Sequence, residues 1–165
     1  MTERYAVAIV GSGPAGLSAA CRAARRGLRH VLLERAGHVS DTISRYQKRK
    51  LVMATPAALP LRSDAGFGEG PREGILANFE QALKEAGANI RLNAEVTAIT
   101  GAKGAFKIAL KSGDSIEAEC VVLAIGVQGN IRRLTVPGAE QSWVQYQLDD
   151  PDEYQNESIW KNTNG

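Results

Sequence analysis

A chain of 165 residues with 44% apolar and 23% charged side chains has the composition of a folded globular protein, long enough for one core and part of a second. Its formal net charge of +2 supplies no field for nucleic acid. No apolar run reaches the roughly 18 residues a membrane helix needs, and the opening MTERYAVAIV lacks a secretory apolar core, so a cytoplasmic protein with neither membrane nor nucleic acid as partner is expected.

Tyr5–Val10 is a glycine-bounded apolar run, as expected of a strand buried on both faces. After the turn that follows, Leu17, Ala20, Cys21 and Ala24 recur at helical spacing, with arginines toward the end and Gly27 as the left-handed cap of a helix over Pro14–Arg26. His30–Glu34 reads as a second buried strand. Strand, helix and strand in about 30 residues make a βαβ unit, whose strands are parallel and adjacent.

From Gly37 to Gly74 the periodicity breaks up. SRYQKRK (Ser44–Lys50) reads as a solvated cationic turn, and the segments with Pro56, Pro60 and clustered glycines as loops. A helix is expected over Arg72–Ala86, with Ile75, Leu76, Phe79 and Leu83 as its stripe and Gly87 as its cap. Asn89–Leu92 reads as another strand. Phe106, Ile108 and Leu110 alternate with Lys107 and Lys111, and turn residues flank them at Gly101–Gly104 and Ser112–Ser115. A small antiparallel meander over Glu95–Glu119 is expected, followed by one more buried strand at Val121–Ile125. The acidic, polar stretch Asp149–Glu157 has the composition of a linker.

Cys21 and Cys120 stand far apart, with no CxxC and no Cys/His cluster. Both read as small buried hydrophobes, and neither a disulfide framework nor a metal site is expected. His30 and His38 read as structural or solvated histidines. No acid–base pair emerges, so no catalytic residue is assigned.

The chemistry is concentrated in Gly11-Ser12-Gly13-Pro14-Ala15-Gly16. Gly11 permits the tight exit from the first strand, Gly13 lets a pyrophosphate approach the backbone, and Gly16 lets the helix lie close to the strand. Pro14 suits the first turn of a helix, and the amides and dipole there favour phosphate. Glu34 stands close to the roughly 20-residue separation at which an acid meets a ribose, where it would accept from both hydroxyls and repel a 2′-phosphate. The turn therefore reads as an ADP-binding site. The βαβ unit alone leaves open which dinucleotide it serves.

AVAIVGSGPAGLSAACRAARRGLRHVLLER resembles the FAD-binding signature of the flavoproteins with two dinucleotide-binding domains, above all the thioredoxin reductase-like pyridine nucleotide oxidoreductases. GANIRLNAEVTAI resembles the strand whose backbone, here around Val96, meets the FAD adenine. EAECVVLAIGVQGNIRRLTVPGAE resembles the ATG-type motif, here Ala124-Ile125-Gly126, followed by the P-G-x-E that leads to a second nucleotide domain. The resemblance spans roughly Tyr5–Glu140 and implies FAD at the first site, held by Gly11, Ser12, Gly13, Pro14, Ala15, Gly16, Glu34, Arg35, Val96, Ala124 and Gly126.

The implied fold is three-layer α/β, Rossmann-like: a parallel central sheet, helices on one face and the meander on the other. Residues 1–140 are expected to form the FAD-binding domain, incomplete as it stands, and 141–165 a linker and the start of an NAD(P)H-binding domain. The family's second GxGxxG unit, its returning Gly-Asp segment and its redox disulfide have no counterpart in these residues. The chain is therefore expected to be a fragment of a flavin-dependent NAD(P)H oxidoreductase, inactive alone. Its expected partners are FAD, an electron acceptor and, through an open sheet edge, a second copy. A non-catalytic ADP-binding module and the NAD-binding domain of a dehydrogenase stand as alternatives.

Overall fold

The structure, a computed structural model, describes residues 3–53, 65–66, 68–127, 132–146, 150 and 158. The prolines at 56 and 60 and most of the expected acidic linker lie outside them. Strand β1 (Arg4–Val10) leads through the glycine turn into helix α1 (Pro14–Arg25) and strand β2 (His30–Leu33). A single helical turn, α2 (Asp41–Ser44), precedes two two-residue strands, β3 (Leu51–Val52) and β4 (Gly70–Pro71), which pair antiparallel with each other. Helix α3 (Arg72–Ala86) follows, then β5 (Ile90–Arg91), β6 (Val96–Ala102), β7 (Ala105–Leu110) and β8 (Ser115–Leu123).

Six strands form one sheet in the order β5-β2-β1-β8-β7-β6. The first four are parallel, and the strand from His30 lies beside the first, in register from Val7 opposite His30 to Val10 opposite Leu33. Strand alternation then sorts the core into two clusters. Ile9 and Leu32 meet Leu17, Ala20 and Cys21 of α1 and Ile75, Phe79 and Leu83 of α3 on one face. Ala8, Val31 and Leu33 meet Ile108 and Leu110 of β7 and Ile116 and Ala118 of β8 on the other. The three expected layers are present.

Both long helices end as their sequences require. Gly27 and Gly87 take positive φ (65° and 66°), and the N–H groups of Leu28 and Ala88 return to the carbonyls of Ala23 and Leu83. On α1, Ala23 is buried where Ala24 was expected, and on α3 Leu76 is half-buried beside the stripe.

Three expectations are corrected. Val121–Ile125 is not a separate strand: β8 runs unbroken from the meander into the parallel sheet, because no turn residue separates EAEC from VVL. The sheet is consequently mixed, with β8 pairing antiparallel to β7 and parallel to β1. Nor is that final segment buried. Strand β7 accompanies β8 only as far as Ala118, and beyond it Leu123 and Ile125 are 64% and 68% exposed. Cys120 lies past the same limit and is half-buried, whereas Cys21 is fully enclosed.

Beyond Ser44, which closes α2, the cationic segment is turn and irregular backbone over 45–50, as expected, but it is anchored. The Arg72 guanidinium donates to the carbonyls of Ser44 and Tyr46 at 3.0 and 2.6 Å, Lys50 stands 4.5 Å from the centre of the Tyr46 ring, and Lys48 pairs with Asp150.

Candidate dinucleotide-binding site

A cleft of about 790 Å³ opens at the carboxyl ends of β1, β2 and β8, the edge of a parallel sheet where ligands characteristically bind. Every residue assigned from the sequence lines it except Gly16. The three glycines of the turn have separable duties.

At Gly11, φ is +97° and an added Cβ would stand 2.5 Å from the Ala124 carbonyl oxygen, so the turn presses against the end of β8. At Gly16 an added Cβ would meet the Gly11 carbonyl oxygen at 1.8 Å, a packing role that explains its absence from the cleft wall. Gly13 differs from both. Its φ of −67° suits any residue, and a Cβ there meets nothing within 4 Å. The space above Gly13 is open toward the cleft, as a cradle for a phosphate must be.

Gly13 caps α1 and Pro14 is its first residue. Helix geometry leaves the N–H groups of Ala15 and Gly16 without intrahelical acceptors, and no acidic side chain occupies the first turn to neutralise the dipole. These groups suit a pyrophosphate.

Glu34 is 6% exposed and sits just past the end of β2. Its carboxylate is already bonded to the protein. The N–H and hydroxyl of Ser12 both donate to Oε2, at 2.9 and 2.5 Å, and the Ala36 N–H donates to Oε1 at 2.9 Å. Sequence reasoning assigned Ser12 and Glu34 separately and missed this link. It also missed Ser40, which is 1% exposed and left-handed at φ 58°. The Ser40 N–H donates to the Ser12 carbonyl at 3.1 Å and to its Oγ at 3.0 Å, and its hydroxyl donates to the same carbonyl at 3.2 Å. The helix-start signal Ser40-Asp41 is visible in the sequence, but the serine side chain spends its bond on Ser12 rather than on capping α2.

On the lip of the cleft Asp41, mostly buried, gathers the Arg45 guanidinium at 3.0 Å, His38 Nε2 at 3.2 Å and Arg35 at 4.0 Å. Arg35 thus lies in the wall, half-exposed and steered by Asp41. Val96, at the start of β6, and Ala124 and Gly126, after β8, also line the cleft. The N–H of Ala124 donates to the Val10 carbonyl at 2.8 Å, which holds that segment against β1.

His30 is a structural residue, as expected. Its Nδ1 bonds the Leu28 carbonyl at 2.9 Å and its Nε2 accepts the Asn89 N–H at 3.0 Å, which stitches β2 to the start of β5. His38 is half-exposed and bonds Ser44 Oγ at 2.8 Å. Among the described residues no cluster of His, Cys, Asp or Glu could hold a metal ion, and no helix is long and apolar enough to cross a membrane.

Sheet order, glycine turn and acid together define a Rossmann-like dinucleotide-binding domain. More particularly, the chain belongs to the pyridine nucleotide-disulphide oxidoreductase family, whose profile matches residues 8–160. It is 28% identical over 142 residues to a ferredoxin–NADP reductase of Lactiplantibacillus plantarum, covering 86% of this chain and 40% of that one. It is 32% identical over 141 residues to an NADH dehydrogenase of Bacillus subtilis, covering 84% and 24% respectively. Among solved structures, the bacillithiol disulfide reductase of Staphylococcus aureus superposes with a TM-score of 0.77 at 21% identity, over 93% of this chain and 48% of that one. Thioredoxin reductase of Lactococcus lactis gives 0.64 at 26% identity, over 81% and 39%. The chain thus spans less than half the length of each of these relatives.

Proposed function

We propose that this chain is the FAD-binding portion of a flavin-dependent NAD(P)H oxidoreductase, with residues 1–140 forming the binding unit and 141–165 leading toward a nicotinamide-binding region of the parent protein. The observation that carries this reading is the open cradle at Gly13, set at the amino end of α1 with Glu34 across the turn. Amides of the turn and of the first helical residues bind the pyrophosphate, and Glu34 orients the adenosine ribose. Val96 and Arg35 border the adenine, while Ala124 and Gly126 face the cleft toward the flavin side. Bound FAD would supply redox chemistry between NAD(P)H and an acceptor that the parent protein selects. The chain itself contributes position and the exclusion of side chains from the phosphate path. The thiols of Cys21 and Cys120 suit a reducing cytoplasm.

Calorimetric titration of the 165-residue chain with ADP and with FAD tests the reading. ADP binding together with weak, readily lost FAD binding supports it, as does an absence of NADPH consumption, because the nicotinamide would lack the positioning on which hydride transfer depends. No binding of either nucleotide, or steady NADPH consumption by the pure chain with FAD added, overturns it.

A further inference from the structure

An ionised carboxylate offers about four acceptor positions, two on each oxygen. At Glu34 the protein has taken three. Oε2 receives both the N–H and the hydroxyl of Ser12, and Oε1 receives the Ala36 N–H. One acceptor position is left, on Oε1. We propose that Ser12 is a positioning residue that occupies the Oε2 half of Glu34, so that this site recognises the adenosine ribose through a single hydroxyl rather than through the pair. The proposal rests on the ADP-binding reading above and refines it.

Ser12 is suited to the task because it is itself immobilised. It has no exposed surface, and its Oγ accepts the Ser40 N–H while donating to Glu34, which fixes the direction of the hydroxyl proton. Its carbonyl takes the hydroxyl and the N–H of Ser40. Two donors from one residue on one oxygen hold the carboxylate at a set rotation before any ligand arrives, which reduces the ordering cost of binding. Displacing the Ser12 hydroxyl to admit a second ribose hydroxyl would leave the Ser12 hydroxyl buried without an acceptor.

The test compares ADP, 2′-deoxy-ADP and 3′-deoxy-ADP by calorimetry on the full chain and on Ser12→Ala. In the wild type, one deoxy analogue should bind within about threefold of ADP and the other at least about tenfold more weakly, the loss of a hydrogen bond to a charged group. In Ser12→Ala the backbone N–H still reaches Oε2 but its second acceptor position is released. The previously silent hydroxyl should then be felt, with both analogues weaker than ADP by about fivefold or more. Ser12→Thr, which keeps a hydroxyl, should restore the one-sided pattern. Should Ser12→Ala not fold, Ser12→Gly makes the same comparison. Equal losses for both analogues in the wild type, no loss for either, or a pattern unchanged by removing the hydroxyl would overturn the single-hydroxyl assignment while leaving ADP binding intact. Failure of the wild type to bind ADP would instead overturn the nucleotide reading, and the assignment with it.

Discussion

A Cβ placed on Gly16 would stand 1.8 Å from the carbonyl oxygen of Gly11, whereas one placed on Gly13, between them in sequence, would touch nothing. Two glycines of one turn therefore serve opposite ends. Gly16 is a demand of the fold, whereas the space at Gly13 is left open toward the cleft.

The two can be separated by substitution. Gly16→Ala must push α1 off β1 and is expected to cost at least about 3 kcal/mol, which urea denaturation would register as a lowered midpoint. Gly13→Val should unfold at nearly the wild-type urea concentration yet lose ADP and FAD binding, because its methyl groups fill the phosphate cradle. Wild-type affinity in Gly13→Val would contradict the assignment.

Glu34 is expected to matter to stability as well as to binding. Glu34→Ala leaves the buried Ser12 N–H and the part-buried Ala36 N–H without their carboxylate, and a buried donor left unpaired costs about 1–3 kcal/mol. Loss of the ribose contact should weaken ADP by a further ~1.5–3 kcal/mol. Parallel measurement of the thermal midpoint without ligand and of ADP affinity distinguishes the two effects. An unchanged midpoint would mean that the Ser12–Glu34 link carries no stability.

His30→Ala should loosen the edge of the parallel sheet without affecting the cleft. The Asn89 N–H loses its acceptor at Nε2, a loss of about 1–2 kcal/mol, while the Asn89 side chain still donates to the residue 30 carbonyl at 2.9 Å. Amide hydrogen exchange should accelerate at Asn89 and around β5, and ADP affinity should hold.

Glu73, at the start of α3, has its carboxyl held below the ordinary value of 4.5, chiefly by its own N–H and by that of Arg49, with the Arg72 charge assisting. A depressed carboxyl contributes stability that is present above about pH 4.5 and disappears as the pH falls through the folded value. Glu73→Gln should therefore be slightly less stable than wild type at pH 7 and indistinguishable from it in strong acid. The side chain is half-exposed and its charge screened by solvent, so the gap at pH 7 should be small. A constant gap at all pH values would assign the effect to something other than this charge.

Strand β6, at one edge of the six-stranded sheet, reads VTAITGA and carries no charge, a template for pairing with a second chain. Self-association at high concentration is expected, and Ala98→Lys, at an exposed position on that edge, should suppress it. Sedimentation velocity over a range of concentrations would decide. Identical behaviour of the two chains would point away from this edge.

Much of this molecule is written locally. The βαβ unit follows from an apolar run, a helical stripe and a second apolar run, and the helix over Arg72–Ala86 matches its expected limits because a periodic stripe ends at a glycine that can turn left-handed. The close packing at Gly16 was legible for the same reason, since its Cβ would meet the carbonyl of nearby Gly11, whereas the clash at Gly11 is with the distant Ala124. What the tertiary structure alone decided are relations between distant positions. No periodicity marks where β7 stops accompanying β8, and that limit is what leaves Cys120 half-buried and Ile125 exposed. Nothing in the string GSGPAG indicates that its serine will meet an acid 22 residues on and a left-handed serine 28 residues on. A buried hydroxyl must find donors and acceptors wherever folding brings them, and only the assembled turn, with the end of β2 and the loop before α2 around it, determines which ones Ser12 receives.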